Sequence, residues 1–117
     1  MQNIDSYTKN NSGKESIDNL GNFKVISGHS DEILSLSCSH DGKYIISGSA
    51  DNTIKLWEFS LEKEVKTFTG HYDEVTSVLF SSDEKYIISG SADNTIKVWE
   101  ISTGQEIKTL SGHTDEV

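Results

Sequence analysis

The chain says the same thing twice. Residues 43–57 read KYIISGSADNTIKLW and residues 85–99 read KYIISGSADNTIKVW, differing at a single position. The period is 42 residues. It separates Gly28-His29, Gly70-His71 and Gly112-His113, the tryptophans Trp57 and Trp99, and the acidic pairs Asp31-Glu32, Asp73-Glu74 and Asp115-Glu116. Self-similarity at a fixed spacing of a few tens of residues is the mark of a stacked array. Each unit is one supersecondary motif that buries its faces against its neighbours.

The first unit runs over 28–69, the second over 70–111, and a third begins at 112 with GHTDEV. Each contains four runs rich in β-formers separated by turn residues, with no helical periodicity of comparable strength. Strands are expected at 33–39, 44–49, 53–59 and 64–69, and again at 75–81, 86–91, 95–101 and 106–111. The turns between them include Ser39-His40-Asp41-Gly42 and Ala50-Asp51-Asn52. The chain has no proline, so no strand is interrupted. Ile54 and Leu56 alternate onto one face of the third strand while Trp57 and Phe59 fall on the other, which implies a sheet covered on both sides. In the first strand the apolar set Ile33, Leu36, Cys38 breaks the period of two at its start. So does Val75, Val78, Phe80. A β-bulge is expected there. Residues 1–21 are polar and read as a flexible tail. The ordered part, 22–117, is expected to open with a strand at 23–27 that matches the fourth strand of each unit.

The formal net charge is −9, and all ten positive charges are lysine. An acidic chain without arginine repels phosphate backbones and anionic lipid, so neither nucleic acid nor a membrane surface is an expected partner. One cysteine, Cys38, cannot form an internal disulfide, and no stretch reaches the length of a membrane span. A cytoplasmic or nuclear location is the expectation.

A period in the low forties, four strands per period and a Gly-His…Trp signature resemble the WD-repeat β-propeller family over 22–117. The dipeptide that names the family stands here as Trp57-Glu58 and Trp99-Glu100. The family's Ser-Pro-Asp-Gly turn stands as Ser39-His40-Asp41-Gly42 and Ser81-Ser82-Asp83-Glu84, a departure expected to loosen these turns. The resemblance implies an all-β fold with two four-stranded antiparallel blades of an incomplete propeller. It also implies a structural hydrogen-bond chain in each blade, formed by His29, Ser47, Asp51 and Trp57, and by His71, Ser89, Asp93 and Trp99. One indole N–H, one hydroxyl and one imidazole have the donors and acceptors such a chain needs. Partner contacts in the family commonly use the end of the blade where the first strand enters. The matching positions are Glu32, Leu34 and Ala50, and Glu74, Thr76 and Ala92. An acidic rim there would favour a basic protein or peptide.

Serine, histidine and aspartate are also the parts of a hydrolytic triad. Against that, the set occurs once per repeat, and Ser47 sits in IISGS rather than in a G-x-S-x-G elbow. The reading is a non-enzymatic scaffold for protein–protein interaction, with no cofactor and no metal. His40 is matched by Ser82 in the second unit and reads as an exposed turn residue, and the His and Cys spacings fit no zinc pattern. Cys38 aligns with Phe80 and reads as a buried thiol. Propellers close with about four to eight blades, so two units are expected to be the N-terminal part of a longer propeller. The missing blades would come in cis or by self-assembly. The alternative is a part of a larger enzyme or adaptor complex, such as a ubiquitin-ligase or signalling subunit, whose catalytic part lies elsewhere.

Overall fold

Eight strands and no helix make up the described residues, 27–111 of a computed structural model. The tail over 1–21, the leading strand at 23–27 save its last residue, and the start of a third unit at 112 lie outside them. The strands are β1 (Ile33–Cys38), β2 (Tyr44–Ser49), β3 (Thr53–Glu58), β4 (Lys63–Thr69), β5 (Val75–Phe80), β6 (Tyr86–Ser91), β7 (Ile96–Glu100) and β8 (Glu106–Leu110). They form two antiparallel sheets, each in sequence order, β1-β2-β3-β4 and β5-β6-β7-β8. Each 42-residue unit is therefore one four-stranded sheet, hereafter blade 1 and blade 2.

Register explains the imperfect alternation of the first strands. In β1 the pairing with β2 slips between Ile33 and Ser35, and in β5 the pairing with β6 slips between Val75 and Ser77. Leu34 and Thr76 are the extra residues, so the expected bulge falls on them. Beyond the bulge, Leu36 and Cys38 share one face, as do Val78 and Phe80.

Both faces of blade 1 bear apolar clusters. Ile46, Ile54, Leu56 and Phe68 pack against Val75, Val78, Ile87 and Trp99 of blade 2, with Phe80 and Ile101 at the margin. Ile45 and Trp57 occupy the other face with Leu36, Cys38 and Phe59 beside them. Phe68 meets Trp99 edge to face with ring centroids 5.8 Å apart, a favoured aromatic geometry. The blades approach so closely that Gly48 is required: a Cβ there would lie 2.7 Å from Val75 Cγ1. Polar links cross the same junction. The Val78 N–H donates to Ser35 Oγ at 3.1 Å, and the His40 N–H donates to a Glu84 carboxylate oxygen at 2.6 Å.

The β1–β2 and β5–β6 turns are closed alike. Asp41 accepts from Ser39 Oγ and the Lys43 N–H, and Asp83 accepts from Ser81 Oγ and the Lys85 N–H. The second turn keeps the same clasp without its glycine. Glu84 adopts φ 61° where Gly42 has φ 75°, and the serine–aspartate clasp holds it there.

Candidate functional site

At one end of each blade the loop before the first strand, the second strand and the β2–β3 or β6–β7 turn converge. Asn52 and Asn94, at φ 77° and 73°, reverse the chain with a residue type that tolerates left-handed backbone. This tight turn aims Asp51 and Asp93 back at the Gly-His loop.

The structure brings all four side chains of each blade together. Trp57 Nε1–H donates to Ser47 Oγ at 2.9 Å, Ser47 Oγ lies 2.6 Å from His29 Nε2, and His29 Nδ1 lies 2.9 Å from Asp51 Oδ2. In blade 2 the same steps are 2.9, 2.7 and 2.9 Å from Trp99 through Ser89 and His71 to Asp93. Burial lowers the pKa of His29, a trend that the Asp51 hydrogen bond and charge oppose but do not reverse. With the ring neutral, one proton assignment satisfies every atom. The indole N–H goes to the hydroxyl, the hydroxyl O–H to Nε2, and Nδ1–H to the carboxylate. Burial alone would raise Asp51, yet hydrogen bonds from Thr53 Oγ1, the Ser30 N–H and His29 hold it well below the usual carboxylate range. Asp93 is held down in the same way by Thr95, the Tyr72 N–H and His71.

This arrangement is poor hydrolytic chemistry. Ser47 and Ser89 are each 1% exposed, so no carbonyl can reach the hydroxyl. The indole N–H also occupies the oxygen lone pair that would attack. What the chain can do is bind the Gly-His loop to the second and third strands. Each buried link that is broken leaves an unsatisfied polar group, at about 1–3 kcal/mol.

Around this end sit the positions expected to meet a partner. Glu32, Glu74, Thr76 and Ala92 are exposed, Ala50 is half-buried, and Leu34 is 40% exposed on its bulge. The Ala50 N–H donates to the Glu32 carbonyl and the Ala92 N–H to the Glu74 carbonyl, so turn and entry strand are fixed to each other. Asp31-Glu32 and Asp73-Glu74 lie on this rim; Asp115-Glu116 lies outside the described residues. Tyr72, which follows His71, is 88% exposed beside them. Elsewhere, the His40 side chain is exposed as expected. Cys38 is half-buried rather than enclosed, and burial pushes its thiol pKa up. Among the described residues no three His, Cys, Asp or Glu side chains are grouped to hold a metal ion.

Sequence reasoning missed a second repeated network. Lys55 Nζ donates to Glu64 at 2.9 Å and to Thr67 at 2.8 Å, and Thr67 Oγ1 donates to Glu64. Lys97, Glu106 and Thr109 repeat it, with Lys97 Nζ at 2.8 and 2.9 Å from its two acceptors. The signal was available, since all three residues recur at 42. Thr53 and Thr95, which clasp the turn aspartates, recur likewise.

A family model described as "WD domain, G-beta repeat" matches residues 21–58 and 62–100. Its units end after Trp57-Glu58 and Trp99-Glu100, whereas counting from Gly-His divides the same repeat elsewhere. A mosquito protein (Culex quinquefasciatus) described as a ribosome biogenesis protein BOP1 homolog is 44% identical over 43 residues. That is 37% of this chain and 5% of the relative. The fission-yeast transcriptional repressor tup12 is 56% identical over 34 residues, 29% of this chain and 6% of the relative. Human WD repeat-containing protein 18 is 39% identical over 44 residues, 38% and 10% of the two chains. The chain thus matches only a small part of each relative's length. Among solved structures, the RRP9 WD40 repeats superpose with a TM-score of 0.70 at 37% identity over 76% of this chain and 27% of that one. The structure of U3-55K does so with 0.70 at 36% identity, over 78% and 28%.

Proposed function

Since the chain belongs to the WD40 repeat family, we propose that it is a non-catalytic scaffold for protein–protein interaction. The blades present the rim of Glu32, Leu34 and Ala50, and of Glu74, Thr76 and Ala92, to partner proteins or peptides of basic character. One observation carries this reading. Both Ser–His–Asp sets are buried and tied to a tryptophan, so the chemistry-bearing residues serve to hold the loops that surround them. Fixed loops bind with less loss of conformational freedom than mobile ones. The buried tetrads are the structural part of the proposal and the exposed rim is the contact part.

The outer face of blade 2, where Ile96 and Leu110 are half exposed and which no described residue covers, would seat a further blade. That blade would come in cis or by self-assembly. The names of the relatives span ribosome biogenesis and transcriptional repression. They favour a nuclear over a cytoplasmic location without selecting a pathway.

The test separates rim from tetrad. Interaction proteomics would compare the wild type with Leu34→Ser combined with Glu74→Lys, and with Ser47→Ala below its melting temperature. The rim variant should lose partners while melting normally; Ser47→Ala should melt lower yet retain them. A rim variant that keeps every specific partner would overturn the contact assignment. Hydrolytic turnover abolished by Ser47→Ala without a fall in melting temperature would overturn the scaffold reading.

A further inference from the structure

At the end of the blades opposite the rim, the junction opens into a cleft of about 260 Å³. Leu56 and Val65 of blade 1 and Phe80 and Ile101 of blade 2 line its apolar part, and Lys66 and Glu84 stand among them. The Lys66 ammonium is held across the junction by two backbone carbonyls, 2.8 Å from Ile101 O and 3.1 Å from Ser102 O. Glu84 accepts a hydrogen bond from the His40 N–H on one carboxylate oxygen, which also lies 3.7 Å from His40 Nδ1; the contacts with His40 thus fall on that one oxygen. A carboxylate has further lone pairs to offer, and two flanking aspartates, Asp41 and Asp83, are kept ionised by the turn hydrogen bonds they accept.

Glu84 is unusual in its backbone as well as its place. It occupies the left-handed position that blade 1 fills with Gly42, which makes it one of four such non-glycine residues among those described. Sparsely populated backbone at the edge of a cleft marks places where a side chain is retained for what it contacts. The cleft is smaller than the roughly 300–1,000 Å³ of typical small-ligand sites. It suits one large side chain presented by a polypeptide.

We propose that this cleft is a docking site for an extended peptide segment of a partner protein, with a large apolar side chain next to an arginine or lysine. The apolar side chain enters between Leu56 and Phe80, and the cation pairs with Glu84. The segment approaches the end of the blades opposite Glu32 and Leu34, so a partner here is distinct from one on the rim.

The experiment is a titration of the full chain, with labelled isoleucine, leucine and valine methyls, by an acetylated and amidated Gly-Gly-Leu-Arg-Gly-Gly peptide. Saturable shifts are expected at Leu56, Val65 and Ile101. Replacing the peptide's leucine with serine, or its arginine with glutamate, should abolish them. Glu84→Gln should weaken binding by about fivefold, the scale of a partly exposed charge pair. Glu84→Gly restores the residue of blade 1 and relieves the backbone, so it keeps the test decisive if the glutamine variant folds poorly. It should bind as weakly while melting no lower than about the wild type. The proposal is overturned if shifts stay absent at millimolar peptide, if they appear only at Leu34, or if the folded Glu84→Gly protein binds like the wild type.

Discussion

Blade 1 and blade 2 are built from nearly the same sequence, yet equivalent residues lead different lives. Ile54 is fully buried and its counterpart Ile96 is 46% exposed; Phe68 is 1% exposed and its counterpart Leu110 is 51% exposed. The local pairing is the same, since Ile54 faces Phe68 across β3–β4 and Ile96 faces Leu110 across β7–β8. What differs is the neighbour. Val75, Val78, Ile87 and Trp99 cover the outer face of blade 1, and no described residue does so for blade 2. In a repeat protein burial is therefore a property of the junction, not of the unit.

The largest expected effect breaks this symmetry directly. Phe68→Ala should destabilise by about 3–5 kcal/mol, as for a large buried aromatic. Leu110→Ala should change stability by under about 1 kcal/mol, because the side chain is already half in water. Chemical denaturation of the two variants measures both. Near-equal losses would mean that something covers blade 2 in solution, which would place a further blade or a second copy on it.

Gly48 and Gly90 give a second contrast from identical local sequence. An added methyl at Gly48 runs into Val75 and Val78, so Gly48→Ala should force the blades apart and destabilise by about 1–3 kcal/mol. Among the described residues, a Cβ at Gly90 meets only Ser77 Cβ, at 3.8 Å. Gly90→Ala should be neutral within about 0.5 kcal/mol. Thermal melts that move equally would refute the idea that blade contact sets these glycines apart.

The tetrads should restore the symmetry. Ser47→Ala and Ser89→Ala each strand an indole N–H and an imidazole nitrogen, and each should lose about 1–3 kcal/mol. If only one of the pair matters, measured by denaturant midpoints, the two hydrogen-bond chains are not equivalent.

Much of this was legible in the sequence because the repeat acted as an internal control. Strand order, the two-faced pattern of β3 and the bulge all follow from residues that recur at 42. So do the residues of the tetrads, although their connectivity came from the family resemblance rather than from spacing. The junction was not legible. Glu84 reads as a lost glycine, and nothing local says that its carboxylate reaches the turn of the preceding blade. Lys66 and its counterpart Lys108 look alike, yet among the described residues only Lys66 has a following blade whose carbonyls it can reach. The Lys55–Glu64–Thr67 network also went unread. Exposed-looking charges on a fourth strand suggest a solvated edge until the third strand is laid beside them.

The smallest predicted effect is a pH dependence, and it tests whether His29 is neutral in the folded state. Burial sets its folded pKa below the ordinary value of 6.5. The unfolded chain therefore binds the proton first as pH falls, so stability declines with it. The contribution is complete above about pH 6.5 and is lost progressively below it. Asp51 and Asp93 have folded values below the ordinary carboxylate range, so their stabilisation is complete above about pH 4 and is lost in stronger acid. Melting temperature should thus fall from pH 7.5 to 5.5, before Asp51 or Asp93 titrates. His29→Gln cannot take up the proton, so it should melt lower at pH 7.5 but with a shallower slope across that interval. A steeper slope in His29→Gln than in wild type would show that His29 enters the fold already charged. The proton order of the Trp–Ser–His–Asp chain would then have to run the other way, with Nε2–H donating to a serine whose own proton points elsewhere.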